Sequence, residues 1–98
     1  VGAAYNAVSV GTSATSILAA NKRRTAYELY NNGTATVFWG SNNSVTTSNG
    51  MALKQGERRV VTRETPPNRQ DEHIYTGAIF GIVASGTVNV RYWEEDDT

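Results

Sequence analysis

The chain of 98 residues holds a single histidine, the natural place to look for acid–base chemistry. His73 follows Asp71 and Glu72, just after a stretch, Glu64 to Glu72, that contains Pro66 and Pro67. A carboxylate beside an imidazole can orient it as a general base, and serines are plentiful, so a Ser/His/Asp constellation can be drawn on paper. No Gly-x-Ser-x-Gly elbow selects one of those serines, and the expectation is a solvated or interface histidine with no catalytic residue. Metal chemistry is equally thin. One histidine without cysteine excludes ordinary structural zinc spacing, which leaves Glu94-Glu95-Asp96-Asp97 as oxygen donors for calcium. Consecutive carboxylates near a terminus point in different directions, so they read as a solvated acidic tail over residues 94–98, and no metal or cofactor is expected.

The cations form two groups, Lys22-Arg23-Arg24 and Arg58-Arg59 with Arg63. Nine basic residues are balanced by nine acidic ones, so no global field draws the chain onto nucleic acid or an anionic membrane, and neither is expected as a partner. The sharper question concerns aromatics. Tyr30, Phe38 and Trp93 alternate with apolar neighbours and so fall on faces opposite to the inferred core, where they can anchor a protein interface or stack on sugars. Two sequons, Asn32-Gly33-Thr34 and Asn42-Asn43-Ser44, would accept glycans only in a secretory protein.

Strands must position these residues. From Arg24 to Gly40, Tyr27 and Leu29 alternate with Glu28 and Tyr30, Asn31-Asn32-Gly33 intervenes, and Val37 and Trp39 alternate with Phe38. Asn and Gly tolerate the positive φ of hairpin turns, so the spacing predicts two strands around a tight turn. A second hairpin is expected from Ala78 to Trp93, with Ala84-Ser85-Gly86 at its turn. Ala14 to Leu18, Met51 to Leu53 and Arg58 to Arg63 read as further short strands, Tyr5 to Val10 as a first strand or an arm, and Ile74-Tyr75 as a short strand. The predicted core is Tyr27, Leu29, Val37, Trp39, Phe80, Ile82, Val88 and Val90. No segment of useful length keeps an apolar period of 3.6, although a single helical turn over Leu18 to Lys22 fits.

Seven or eight short strands with regular turn signals match an all-β, two-sheet antiparallel sandwich, Ig-like or jelly-roll. At this length the chain can close one core, so the division is an N-terminal arm over 1–11, a sandwich over 12–93 and the tail. Without cysteine that core has no disulfide to help it. No run approaches the roughly 18 to 20 apolar residues that span a bilayer, and the first residues lack the blocks of a signal peptide, so the chain reads as soluble and not processed for export. Val1 to Asn21 and Leu29 to Leu53 carry no charge, and such surfaces rich in hydroxyl and amide groups often meet another protein.

Several runs taken together resemble small virion proteins of tailed bacteriophages. They are Thr12 to Asn21, Leu29 to Val37 with Gly40-Ser41, Val45 to Leu53, Gln55-Gly56-Glu57, and Ala78 to Val90. In that family a strand ending in Asn-Gly precedes one ending in Gly-Ser, then an Asn-Gly-x-x-Leu step, a Gly-Glu turn and a closing hairpin. The Glu64 to Glu72 insertion, Arg58-Arg59 and the acidic tail depart from this pattern. The resemblance implies a capsid decoration or cement protein on the outer surface of the virion, bound to major capsid protein subunits and stabilising the shell without enzymatic activity. The alternative is a carbohydrate-binding or host-attachment module of a head or tail fibre, in which Tyr30, Phe38 and Trp93 would line a shallow groove. Closed symmetry suits a homo-oligomer, a trimer at a threefold position first and a dimer next. The residues expected to meet the partner are Val1, Ala4 and Tyr5 in the arm, Tyr30, Phe38 and Trp93 on exposed faces, and Asn42, Asn43, Pro66 and Pro67 in loops.

Overall fold

A computed structural model describes residues 2–62 and 74–96. Val1, Pro66, Pro67 and His73, and with them the Glu64 to Glu72 stretch, lie outside the described residues. Among the described residues there are eight strands: β1 (Gly2–Val10), β2 (Thr15–Leu18), β3 (Arg24–Asn31), β4 (Val37–Gly40), β5 (Met51–Leu53), β6 (Arg58–Thr62), β7 (Ile79–Ile82) and β8 (Val88–Asp96). They form two four-stranded antiparallel sheets, the first in the order β1-β8-β3-β6 and the second in the order β2-β7-β4-β5. The expected all-β sandwich is therefore the architecture.

Topology separates the two kinds of sandwich. The pairs β1·β8, β2·β7, β3·β6 and β4·β5 nest like one long hairpin, and that hairpin is wound so that alternate pairs fall in alternate sheets. Pairs β3·β8 and β4·β7 then complete each sheet. This is a jelly-roll winding; an Ig-like sandwich would pair several sequence neighbours within a sheet.

The winding corrects both predicted hairpins. β3 and β4 lie in different sheets, as do β7 and β8, so the Asn-Gly and Ala-Ser-Gly segments are arches between layers. At the first arch the reason is Asn31, which is fully buried. Its Nδ2 donates to Ala35 O and Leu53 O, both at 2.8 Å, and its Oδ1 accepts the Gly33 N–H at 2.9 Å. One side chain thus ties the end of β3 to the start of the arch and to β5 in the other sheet. Gly33 does not adopt positive φ. It serves by being small, since a Cβ there would lie 2.7 Å from Val88 Cγ1.

The core between the sheets contains Val10, Ile17, Leu18, Tyr27, Leu29, Val37, Leu53, Ile74, Ile79, Val83, Val88 and Val90, with Trp39 packed against it. Six of the eight predicted core residues are there. Phe80 and Ile82 are not: on β7 the inward side chains are Ile79 and, just past the strand, Val83, while Phe80 and Ile82 pair across from Gly40 and Phe38 on the outer face. Both faces of β7 are apolar, so alternation alone could not fix its orientation. The inward position between Ile79 and Val83 is Gly81, where a Cβ would approach Ile17 Cδ1 to 2.8 Å and Val37 Cγ1 to 3.1 Å. Ile74 is buried but belongs to no strand, and residues 19–23 form a turn, not a helix. The segment read as an arm is β1, paired with β8 along its whole length, and β8 runs through Glu94 and Glu95 to Asp96, so sheet structure extends into the residues read as a tail.

Candidate functional site

Burial of Tyr27 and Leu29 on β3, Val88 and Val90 on β8, and Val10 on β1 fixes which side chains of the first sheet point outward. The register then builds the outer face row by row. Tyr5 lies across from Trp93, Trp93 from Glu28, and Glu28 from Val60, so one row crosses β1, β8, β3 and β6. The next row is Ala7, Arg91, Tyr30 and Arg58. Tyr5 is 81% exposed, Val60 54% and Trp93 37%.

Within this face Arg58 is held twice. Its guanidinium lies 4.9 Å from the Tyr30 ring centroid, and its Nη1 donates to Glu28 Oε2 at 2.9 Å. Arg58 therefore covers Tyr30 and leaves Trp93 and Tyr5 as the open aromatic surfaces. A depression of about 740 Å³ runs between Trp93, Arg91, Asn32 and the Arg58–Glu28 pair. A smaller one, about 350 Å³, adjoins Tyr5, Ala7 and Arg91, so Arg91 borders both. Among the described residues no carboxylate lies within salt-bridge distance of Arg91. Aromatic platforms beside a guanidinium without a carboxylate partner suit contact with a polar surface carrying carbonyl or carboxylate groups.

Other residues singled out in the sequence lie elsewhere. Phe38 faces outward on the second sheet, on the opposite side of the molecule from Tyr30 and Trp93, so the three aromatics do not share a groove. The β4–β5 connection packs on it, for a Cβ on Gly50 would lie 2.8 Å from Phe38 Cβ. Asn42 and Asn43 are exposed in that connection, where Asn42 Oδ1 accepts the Ser44 N–H at 2.9 Å. Ala4 lies opposite Glu94 on the inward side of β1 yet is exposed, because the short β2 covers only the Val10 end of that strand. Asn32 lines the larger depression from the first arch.

The cation groups do not merge into one surface. Lys22 and Arg23 sit on an exposed turn, while Arg24 is 1% exposed. Its Nε donates to Glu94 Oε2 at 2.6 Å, its Nη1 to Tyr75 O at 2.9 Å and Gly77 O at 3.0 Å, and its Nη2 to Ala19 O at 2.7 Å. A register shift between Arg24 and Ala26 turns Arg24 inward, which simple alternation with Tyr27 and Leu29 does not foresee. Arg59 closes the opposite flank, 5.1 Å from the Trp39 ring. The carboxylate run is also divided by the strand: Glu94 binds Arg24, Glu95 lies on the other face, and Asp96 accepts from Asn21 Nδ2 at 3.0 Å. Among the described residues no group of three or more His, Cys, Asp or Glu side chains converges as a metal site. Comparison with known proteins returns no matching family model, no matching curated protein and no matching solved structure.

Proposed function

We propose that this chain is a non-enzymatic structural protein of a tailed-phage virion, a decoration protein that binds major capsid protein subunits at the outer capsid surface and stabilises the shell. The observation that carries the reading is the outer face of the β1-β8-β3-β6 sheet. It places Tyr5, Trp93 and Arg91 in open positions on adjacent strands, and Tyr, Trp and Arg are the side chains that most often anchor protein contacts. A sheet face holds such anchors at fixed spacing, so little order is lost on binding. Many copies on one shell add avidity, and modest individual contacts suffice. The sequence resemblance supplies the partner class; the jelly-roll winding is compatible with it, since the architecture occurs in viral capsid proteins and in lectins.

The test is co-sedimentation of the purified chain with emptied, expanded heads of the phage that encodes it. Tyr5→Ser together with Trp93→Ala should weaken saturable binding by about tenfold or more while leaving the circular dichroism spectrum unchanged. Failure of the wild-type chain to bind any form of the shell would sink the proposal.

A second reading, a carbohydrate-binding or host-attachment module, is favoured by the depression where Trp93 stands beside Arg91, Asn32 and Glu28. An aromatic plane with nearby polar groups is the arrangement that stacks on and orients a sugar ring. Glycan-array binding abolished by Trp93→Ala, with no affinity for capsids, would replace the first reading by this one.

A further inference from the structure

A sandwich has four edge strands, and an uncovered edge offers unpaired N–H and C=O groups to any other strand. Three edges here carry devices that discourage such pairing. β2 has four residues with a register shift between Ser16 and Leu18. β5 has three residues. β6 has five and begins with Arg58 and Arg59. β1 differs on every count. It has nine residues, no charge, no proline and an unbroken register against β8 from Gly2↔Asp96 to Val10↔Val88. Among the described residues no strand pairs with its outer edge.

We infer that β1 is a dimerisation strand, pairing with β1 of a second copy across a twofold axis to join two four-stranded sheets into one of eight. Charge placement chooses the orientation, and the fit of the strand to its own antiparallel copy chooses the occupant. Next to the Gly2 end of β1, strand β8 carries Glu95 and Asp96 beside Glu94, whose charge Arg24 neutralises; next to the Val10 end it carries Val88, Asn89 and Val90. Antiparallel pairing sets the acidic end of each copy beside the neutral end of the other, whereas parallel pairing would bring the two acidic ends together. Two identical antiparallel strands are related by a twofold axis, so the contact closes at two copies.

Side-chain sizes fit the same arrangement. With the strands fully overlapped, the axis passes at Asn6 and each Tyr5 lies opposite Ala7 of the second copy. The small Ala7 leaves room for the exposed Tyr5 ring, which then extends toward Arg91, the β8 residue across from Ala7. An axis normal to the sheet keeps the two outer faces on one side, so the dimer presents two Tyr5–Trp93–Arg91 sets to a common surface.

Sedimentation velocity on the full chain, over a wide concentration range, tests this. The wild-type chain should show a reversible monomer–dimer equilibrium. Ala7→Lys, which brings two like charges close to the axis, should weaken it by about tenfold or more. Because Ala7 is exposed, the variant should keep the wild-type dichroism spectrum, and Ala7→Ser, small and uncharged, should retain the dimer. A monomer at every concentration, a trimer, or a dimer indifferent to Ala7→Lys would each overturn the proposal. This readout needs no capsid, so it stands or falls separately from shell binding.

Discussion

Two Arg–Tyr–Glu clusters form along strand β3, one with Glu94 of β8 and one with Arg58 of β6, with opposite outcomes. Near its start Arg24 lies 5.5 Å from the Tyr27 ring and pairs with Glu94; near its end Arg58 lies 4.9 Å from the Tyr30 ring and pairs with Glu28. The first pair has side chains 0% and 14% exposed, the second 58% and 28%. Burial decides what each cluster does. In the interior a guanidinium must have its donors filled, so Arg24 gathers a carboxylate and three backbone carbonyls from the 19–23 turn and the 75–77 segment, and becomes a clamp for one end of the sandwich. On the surface water competes for every donor, so the Arg58 cluster adds little to stability and remains available for contact.

The largest effects belong to the buried cluster. Arg24→Ala should cost about 3 to 5 kcal/mol in urea unfolding, because it leaves Glu94 and three carbonyls without their donor. Next in size, Glu94→Gln keeps an acceptor for Nε but removes the charge, and should cost about 2 kcal/mol by the same measurement. At the exposed cluster Arg58→Ala should shift stability by less than about 1 kcal/mol, its screened ion pair contributing little. Salt acts on the two clusters unequally. Raising salt from low to near-molar concentration should shrink the already small Arg58→Ala penalty and leave the Arg24→Ala penalty nearly unchanged, since exposed pairs are screened far more than buried ones.

Local pattern made much of the fold legible. Alternation in β3 identified Tyr27 and Leu29 as inward residues, and the same period placed Tyr30 and Trp93 on an outer face, where they do share one surface. Period-2 alternation says nothing about which sheet the next strand joins, so two arches read as hairpins. What sends the chain across at the first of them is Asn31, whose bonds to Ala35 and Leu53 depend on a residue 22 positions away. Phe38 was misplaced relative to Tyr30 for that reason: each faces outward, but from opposite layers. The inward position of Arg24 is not legible in the sequence because a bulge reverses the parity of a strand locally, and neither Arg24 nor Thr25 announces one. The open edge of β1 was visible only as a segment without charge; its meaning came from comparison with the three edges that are short, irregular or cationic.

The bond from Gly33 to Asn31 also bears on how the protein ages. An asparagine followed by glycine is prone to spontaneous deamidation, in which the glycine nitrogen loses its proton and attacks the asparagine side-chain carbonyl to close a succinimide. At Asn32-Gly33 that proton is held by Asn31 Oδ1 at 2.9 Å, and at Asn49-Gly50 the corresponding proton is held by Thr46 O at the same distance. Both nitrogens are therefore occupied in the folded chain. The arch that carries the strand from one layer to the other also slows the clock on the side-chain amide of its own Asn32.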